Sequence, residues 1–327
     1  MHLSDLHLGK HRWYDQLDPQ HKILSLYDLD ALQALVEVVN DLLNHVDAIL
    51  ISGDIVVSGT KDDLDFASEV FMPARPENRV PTFLERRGVS LSLGDLAKPV
   101  LILPGNHDRY RDILGFPGKL FYQYFSPFWD TGPGGVCSFL IPSDSPILAI
   151  VSADFSLQKP LDYEILIRGH SNPVSGYPKM RQMIGRHWGR GRVYSKVLKT
   201  LRDKTLQIRS SYPDCGILWA IHFAPESAHQ NIDPNMVLVH SQYLIRQAEK
   251  LGIKYILCGH IHRSAAYPAG SDDSVSIHCT GTATCLSKRE ETVIHLRDFS
   301  VQNGTVMQMR SRAIDYNRRL NIFRPRQ

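Results

Sequence analysis

The chain has no apolar run long enough to span a bilayer, no Cys-x-x-Cys pair, no internal repeat and no low-complexity tract. The first absence excludes a membrane-spanning helix. The second excludes thiolate zinc ribbons, and the odd number of cysteines (Cys137, Cys215, Cys258, Cys279 and Cys285) speaks against a closed disulfide framework. Free, buried thiols in a reducing cytoplasm are the expectation. The segment from Met1 to His7 has neither a basic nor an apolar signal region, so no signal peptide is expected. What remains is ordinary for a globular protein: 327 residues, 43% hydrophobic and 22% charged, enough for one large α/β domain with a sizeable core.

Charge is scarce overall, at a net +3, but unevenly placed. Between 159 and 192, seven Lys and Arg residues face Asp162 and Glu164 only. Between 310 and 327, six arginines face Asp315 only. Such segments can attract phosphate or nucleic acid. The competing expectation is a solvated loop and a solvated, basic C-terminal tail over 311–327, beyond a domain spanning 1–310.

Short motifs carry the chemistry. They are Asp5-Leu6-His7, Gly53-Asp54, Gly105-Asn106-His107-Asp108, His222 and Gly259-His260-Ile261-His262. All offer oxygen or nitrogen donors, a set suited to Mn, Fe or Zn. Each motif after the first ends a short apolar run: 47–52, 99–104, 216–221 and 254–258. Residues 147–152 lead to Asp154 in the same way. Runs this short and this apolar read as strands buried on both faces. Ligands at strand ends can converge on one edge of a sheet while lying far apart in sequence. Any one motif alone is a common turn; together, in one context, they read as a site for two metals. The strand before Asp5 has only Met1 to Ser4 to form from, so it must be short.

Between the motifs, Asp28 to Val46 has the spacing of an amphipathic helix, linking the first two motifs as a strand-helix-strand unit. Thr60 is a candidate cap for a second helix, and Ser241 to Leu251 reads as a third, capped by Ser241 and ended by Gly252. Residues 73–98 and 156–192 read as insertions, the second a long excursion near the site. Alternation from Ser274 to Arg310 predicts edge strands of a second sheet. Histidines outside the motifs, His278 and His295 among them, lack a ligand-like context.

These residues resemble the calcineurin-like metallophosphoesterase family. The resemblance covers Leu3-Ser-Asp-Leu-His-Leu-Gly9, Gly53-Asp54, Gly105-Asn-His-Asp108 and Gly259-His-Ile-His262. Within that family, the segments Ser52 to Thr60 and Cys258 to Arg263 are most similar to class III cyclic-nucleotide phosphodiesterases. The resemblance implies a two-sheet β-sandwich flanked by helices, with two divalent metals, Mn first and Fe or Zn as alternatives. It assigns Asp5, His7 and His262 to one metal and Asn106, His222 and His260 to the other, with Asp54 bridging. It implies attack on phosphorus by a metal-bridging hydroxide, with His107 as the acid for the leaving oxygen or a donor to the phosphoryl group. Asp108 is expected to orient an imidazole or cap its turn, and Arg109, or one of the arginines between 181 and 192, to contact substrate phosphate. The expected substrate is a small phosphoester, a cyclic nucleotide included. The alternative is a nuclease similar to those of double-strand-break repair, using the basic segments 159–192 and 310–327. A non-catalytic scaffold would be expected to lose ligands or His107, and a phosphoprotein phosphatase carries Gly-Asp-x-x-Asp-Arg-Gly, which this chain lacks.

Overall fold

The computed structural model describes residues 1–9, 27–72, 88–96, 98–109, 119–157, 189–226, 228, 230–233, 236–285 and 290–326. Most of the two expected insertions, 73–87 and 158–188, lies outside the described residues, with most cations of the first basic segment.

Strand β1 is short, His2–Leu3. Helix α1 (Leu29–Leu42) follows, capped by Asp28, whose carboxylate accepts from the amides of Asp30 and Ala31 at 2.9 and 3.0 Å. That satisfies two of the donors a helix start leaves unpaired. Leu32, Leu35, Val36 and Val39 form its buried stripe, at the spacing the sequence predicts. After β2 (Ile49–Ile51), α2 (Lys61–Phe71) starts at Thr60, whose hydroxyl accepts from the Asp63 amide at 3.3 Å. The chain continues through β3 (Val100–Ile102), α3 (Asn106–Arg109), α4 (Leu120–Tyr124), β4 (Val136–Ile141), β5 (Leu148–Ala153) and β6 (Gly191–Arg192). Next come α5 (Ser195–Ser211), β7 (Gly216–Ala220), β8 (Leu238–Val239), α6 (Ser241–Lys250), β9 (Tyr255–Cys258), β10 (Ala265–Ala269) and β11 (Val275–Cys279). Two long strands and a short one close the described chain: β12 (Val293–Gln302), β13 (Thr305–Asn317) and β14 (Ile322–Pro325).

Two six-stranded sheets result, in the orders β14-β13-β12-β1-β2-β3 and β10-β11-β9-β7-β5-β4. β1, β2 and β3 pair in parallel, as do β5, β7, β9 and β11. The alternation of side chains along β5, β7 and β9 explains why those runs are apolar throughout. Leu148, Ile150, Leu218, Ala220 and Leu257 join the core shared with the first sheet, where Leu3, Ile294, Leu296 and Val306 lie. The intervening Ala149, Val151, Ile217, Trp219, Ile256 and Cys258 join a second core under α5 and α6, with Leu201 and Leu244. Both faces are covered, as short continuous apolar runs require. The architecture is α/β, a two-sheet sandwich with flanking helices.

Three expectations change. β11 lies inside the second sheet, between β10 and β9, and β12 lies inside the first, between β13 and β1, so neither is an edge strand. Period-two alternation reports a strand's two faces and says nothing of how many neighbours it has. The stretch expected as a solvated tail is the end of β13 together with β14. Ile314 and Phe323 face the core while the arginines stay exposed, so a sheet margin reads as a basic tail. Finally, α6 follows His240, in a left-handed conformation (φ 66°), and Ser241 is its first helical residue rather than its cap.

Candidate metal centre

The motif residues meet where the C-terminal ends of β1, β2 and β3 face those of β7 and β9. Both sheets contribute, rather than the single edge expected. Asp5, His7, Asp54 and His262 bring one donor atom each to within 4.8 Å of one another, and so do Asp54, His222 and His260. In the first group, His7 Nε2 and His262 Nε2 are 3.1 Å apart, with Asp5 Oδ1 3.3 Å from His262 and 3.9 Å from His7. In the second, His222 Nε2 lies 3.1 Å from His260 Nδ1, 3.1 Å from Asn106 Oδ1 and 3.3 Å from Asp54 Oδ2. Asp54 belongs to both groups. Asp5, His7, Asp54, Asn106, His222 and His260 are all buried.

Hydrogen bonds around the rings decide which nitrogens are bare. A carbonyl only accepts, so a ring nitrogen bonded to one carries the proton. His222 Nδ1 donates to the Ser52 carbonyl at 2.7 Å, which leaves Nε2 with its lone pair facing Asp54. His260 Nε2 donates to the Gly189 carbonyl at 2.6 Å, leaving Nδ1. His262 Nδ1 donates to Glu290 Oε1 at 2.8 Å, leaving Nε2. The carboxylates are held in the same one-sided way. Asp5 Oδ2 accepts from the His260 amide and Asp54 Oδ1 from the His107 amide, both at 2.9 Å. Their other oxygens, Asp5 Oδ1 and Asp54 Oδ2, are buried with no hydrogen-bond partner. Bare nitrogens and orphaned anionic oxygens converging on two points are what a divalent cation needs, and what a protein does not otherwise leave buried. The residues fit a metal pair.

Local backbone makes this convergence possible at a cost. Asp5, His7, Asp54, His260 and His262 all have positive φ, between 48° and 73°. Non-glycine residues seldom adopt such values, at about 1–3 kcal/mol each. Asp5 to His7 and His260 to His262 are therefore bent, and the bend lets neighbouring motif residues face different points. Gly53 (φ 99°) answers a second need, because a Cβ there would sit 2.5 Å from His222 Nδ1. At Gly259 an added methyl would overlap the Ser4 hydroxyl.

Charge follows from burial and neighbours. Burial opposes protonation of His262 and His222, yet the adjoining Asp5 and Asp54 carboxylates raise them to about 10 and about 9. Burial would raise Asp5, and His262 overrides it, bringing the carboxyl down to about 2. Burial holds His7 and His260 down at about 3, with neighbouring histidines adding to the effect. Without a cation, Asp54 and Asp5 thus draw protons onto His222 Nε2 and His262 Nε2, the same nitrogens a metal would take.

The other expected site residues are placed differently. His107 is partly exposed, 4.6 Å ring to ring from His7, with Nδ1 bonded to the Val57 carbonyl at 2.6 Å. Asp108 accepts from the Val56 amide at 2.9 Å and the Gly105 amide at 2.7 Å. Both oxygens clamp loops, so it orients backbone rather than an imidazole, and burial with Asp54 nearby lifts its carboxyl to about 7. Arg109 is fully buried and pairs with Asp154 at 2.5 Å and with the Tyr122 hydroxyl, which rules out the substrate contact expected of it. Asp154 also accepts from the amides of Gly134 and Ser156 at 2.9 Å, so this strand-end carboxylate is a structural node. Sequence reading missed Glu290 and the carbonyls of Ser52, Val57 and Gly189. A carbonyl leaves no sequence signal, and Glu290 is an unremarkable charge before a strand.

Stacked sheets whose strand ends gather such donors define the class of dinuclear metallohydrolases. The family model for calcineurin-like phosphoesterases matches residues 1–264, and the chain belongs to that family of phosphoester hydrolases. A dimetal phosphatase from Danio rerio is similar in fold, with a TM-score of 0.55 at 12% identity over 97% of this chain and 98% of that one. GAP50, the anchor in the inner membrane complex of Plasmodium, gives 0.45 at 11% identity over 97% of this chain and 80% of that one. The purple acid phosphatase PPD1 from yellow lupin (Lupinus luteus) seeds gives 0.43 at 10% identity over 96% and 48%. No curated protein sequence matches the chain. Among the described residues, no helix is long and apolar enough to cross a membrane.

Proposed function

We propose that this chain hydrolyses a phosphodiester of a small nucleotide, cyclic nucleotides included, using two divalent metals. The observation that carries the reading is the pair of orphaned oxygens, Asp5 Oδ1 and Asp54 Oδ2, each facing bare imidazole nitrogens. Asp5, His7 and His262 would hold one ion, Asn106, His222 and His260 the other, and Asp54 both. Mn is the proposed metal, and Fe or Zn suits the same donors. When bound, such a pair supplies the charge that activates water and offsets the phosphoryl oxygens.

The remaining work falls to the chain. The Val57 carbonyl fixes His107 Nδ1–H, so the proton His107 can give away sits on Nε2. Transfer of that proton turns the leaving alkoxide into an alcohol and the imidazolium into neutral imidazole. Asp108 sets the geometry by tying the loop of Asp54 to that of Asn106. The small-nucleotide substrate is supported by the likeness of Ser52 to Thr60 and Cys258 to Arg263 to class III phosphodiesterases. Five buried cysteines, none of them in a disulfide, support work in the cytoplasm.

A second reading, a nuclease, is favoured by one contact. The Gly189 carbonyl on His260 brings the C-terminal end of a basic segment, with Arg190 and Arg192, beside the cluster. Hydrolysis of cyclic AMP and of linear DNA by Mn-reconstituted protein separates the two, with His107→Ala as control. Cyclic AMP turnover that vanishes in the variant supports the nucleotide phosphodiesterase. DNA cleavage without cyclic AMP turnover overturns it in favour of the nuclease.

A further inference from the structure

Away from the metal cluster, a cleft of about 730 Å³ opens between the β12-β13-β14 side of the first sheet and β10-β11 of the second. Ser264, His278, His295, Arg297 and Ser311 line it. Arg297 enters from β12. Its Nε donates to His2 Nδ1 at 3.0 Å and its Nη1 to Ser311 Oγ at 3.2 Å, while Nη2 is buried without a partner. Neither partner is anionic. His2 gives its own ring proton, on Nε2, to Ser52 Oγ at 2.9 Å, and burial followed by the charge of Arg297 keeps it neutral.

Every other cation on this cleft is answered. Arg312 pairs with Asp298 at 3.3 Å, and Arg326 with Asp315 at 2.7 Å and Glu291 at 3.0 Å. Among the described residues, no carboxylate lies within ion-pairing distance of Arg297. Burial lowers its guanidinium to about 10, so it stays charged at neutral pH. His278 and His295 add no charge of their own, since burial and then Arg297 hold both at about 3. Arg297 is half-buried, with Nη2 fully withdrawn from water, and a charge so placed is normally paired. The donors around it are also organised: Ser311 Oγ joins Arg297 to His295 Nδ1 at 2.8 Å, and His295 Nε2 bonds Ser264 Oγ at 2.8 Å. A planar guanidinium flanked by hydroxyls matches an oxyanion with several acceptor oxygens.

We infer that this cleft is a second binding site, separate from the metal cluster, for a small oxyanion of the phosphate type, anchored by Arg297, with the one hydroxyl proton that the Ser311–His295–Ser264 chain leaves over as a further donor. The site does not depend on the phosphoesterase reading. Equilibrium dialysis of metal-loaded protein against inorganic phosphate, at constant ionic strength set with sodium chloride, tests it. The wild type is expected to bind one more phosphate per chain than Arg297→Met. Inhibition of turnover by phosphate is expected to be equal in both, since that inhibition reports the metal cluster. Circular dichroism checks that Arg297→Met folds, and its Tm in phosphate-free buffer is expected to be no lower than that of the wild type. Should that variant misfold, Ser311→Val keeps the guanidinium and is expected to weaken the extra phosphate at least tenfold. An equal phosphate count in the wild type and both variants overturns the site. A protein without turnover would fail the proposed activity while leaving the dialysis count readable.

Discussion

Asp54 and Asp154 begin as the same pattern, a carboxylate just past a short buried strand, and end as opposites. Asp154 follows β5 and has a full set of partners: Arg109, the Tyr122 hydroxyl and two backbone amides. Its backbone is not among the left-handed residues. Asp54 follows β2, sits at φ 53°, and keeps one oxygen bonded to the His107 amide while the other has no hydrogen bond and faces His222 Nε2 at 3.3 Å. Position at a strand end therefore does not make a ligand. The distinguishing feature is a carboxylate oxygen that the protein has desolvated, strained into place and turned toward imidazole nitrogens in place of a hydrogen-bond donor of its own, an arrangement a cation completes.

The comparison breaks most sharply by substitution at the two carboxylates. Asp54→Asn is expected to cut turnover on the order of 10³-fold or more, with loss of bound metal, because it removes the residue common to both groups. Asp154→Asn is expected to cost about 3–5 kcal/mol of stability by uncovering Arg109. Folded Asp154→Asn should keep its metal and its turnover. Metal analysis beside denaturant unfolding reads both, and a metal-free but stable Asp154→Asn would erase the distinction. Next in size is His107→Ala, with turnover down about 10²–10⁴-fold and metal content unchanged. Loss of metal in that variant would make His107 a ligand. Smaller still is Glu290→Gln, which should weaken metal binding about 10–100-fold by releasing the His262 ring. Competition with a chromogenic chelator measures it, and unchanged affinity would leave Glu290 without a positioning role.

A further effect is one of pH. In metal-free protein, His222 and His262 have folded-state values of about 9 and about 10 against 6.5 for the unfolded chain. The folded state holds the extra protons, so their contribution is complete below pH 6.5 and lost as pH rises through 9 to 10. Asp108, raised from 3.8 to about 7, also loses its contribution as pH rises. The Tm of metal-free protein should therefore fall between pH 6.5 and 10. Metal-loaded protein should lack that fall, because the ions hold the lone pairs that protons otherwise take. Equal slopes with and without metal would mean those lone pairs do not bind the ions.

Much of this was legible in the sequence. Apolar runs marked β2, β3, β5, β7 and β9, and the motif letters named the residues whose donor atoms the structure gathers, though not Glu290 behind His262. Illegible were features that depend on a third dimension. Arg109 adjoins Asn106, His107 and Asp108, which suggested a shared task. On the short α3 each residue turns about 100° from the last, and Arg109 faces Asp154 instead. The division of strands between two sheets leaves no mark on alternation, so β12 read as an edge. Exposed arginines hid the buried Ile314 and Phe323 of β13 and β14. The orphaned oxygens, which separate Asp54 from Asp154, depend on what other loops bring near them.

The most direct test is a metal titration of metal-free protein, following turnover of bis(p-nitrophenyl) phosphate against Mn bound per chain. Two groups sharing Asp54 predict activity that rises to a plateau at two ions per chain and is absent in Asp54→Asn. Full activity at one ion, or activity that survives chelation, would contradict a dinuclear centre.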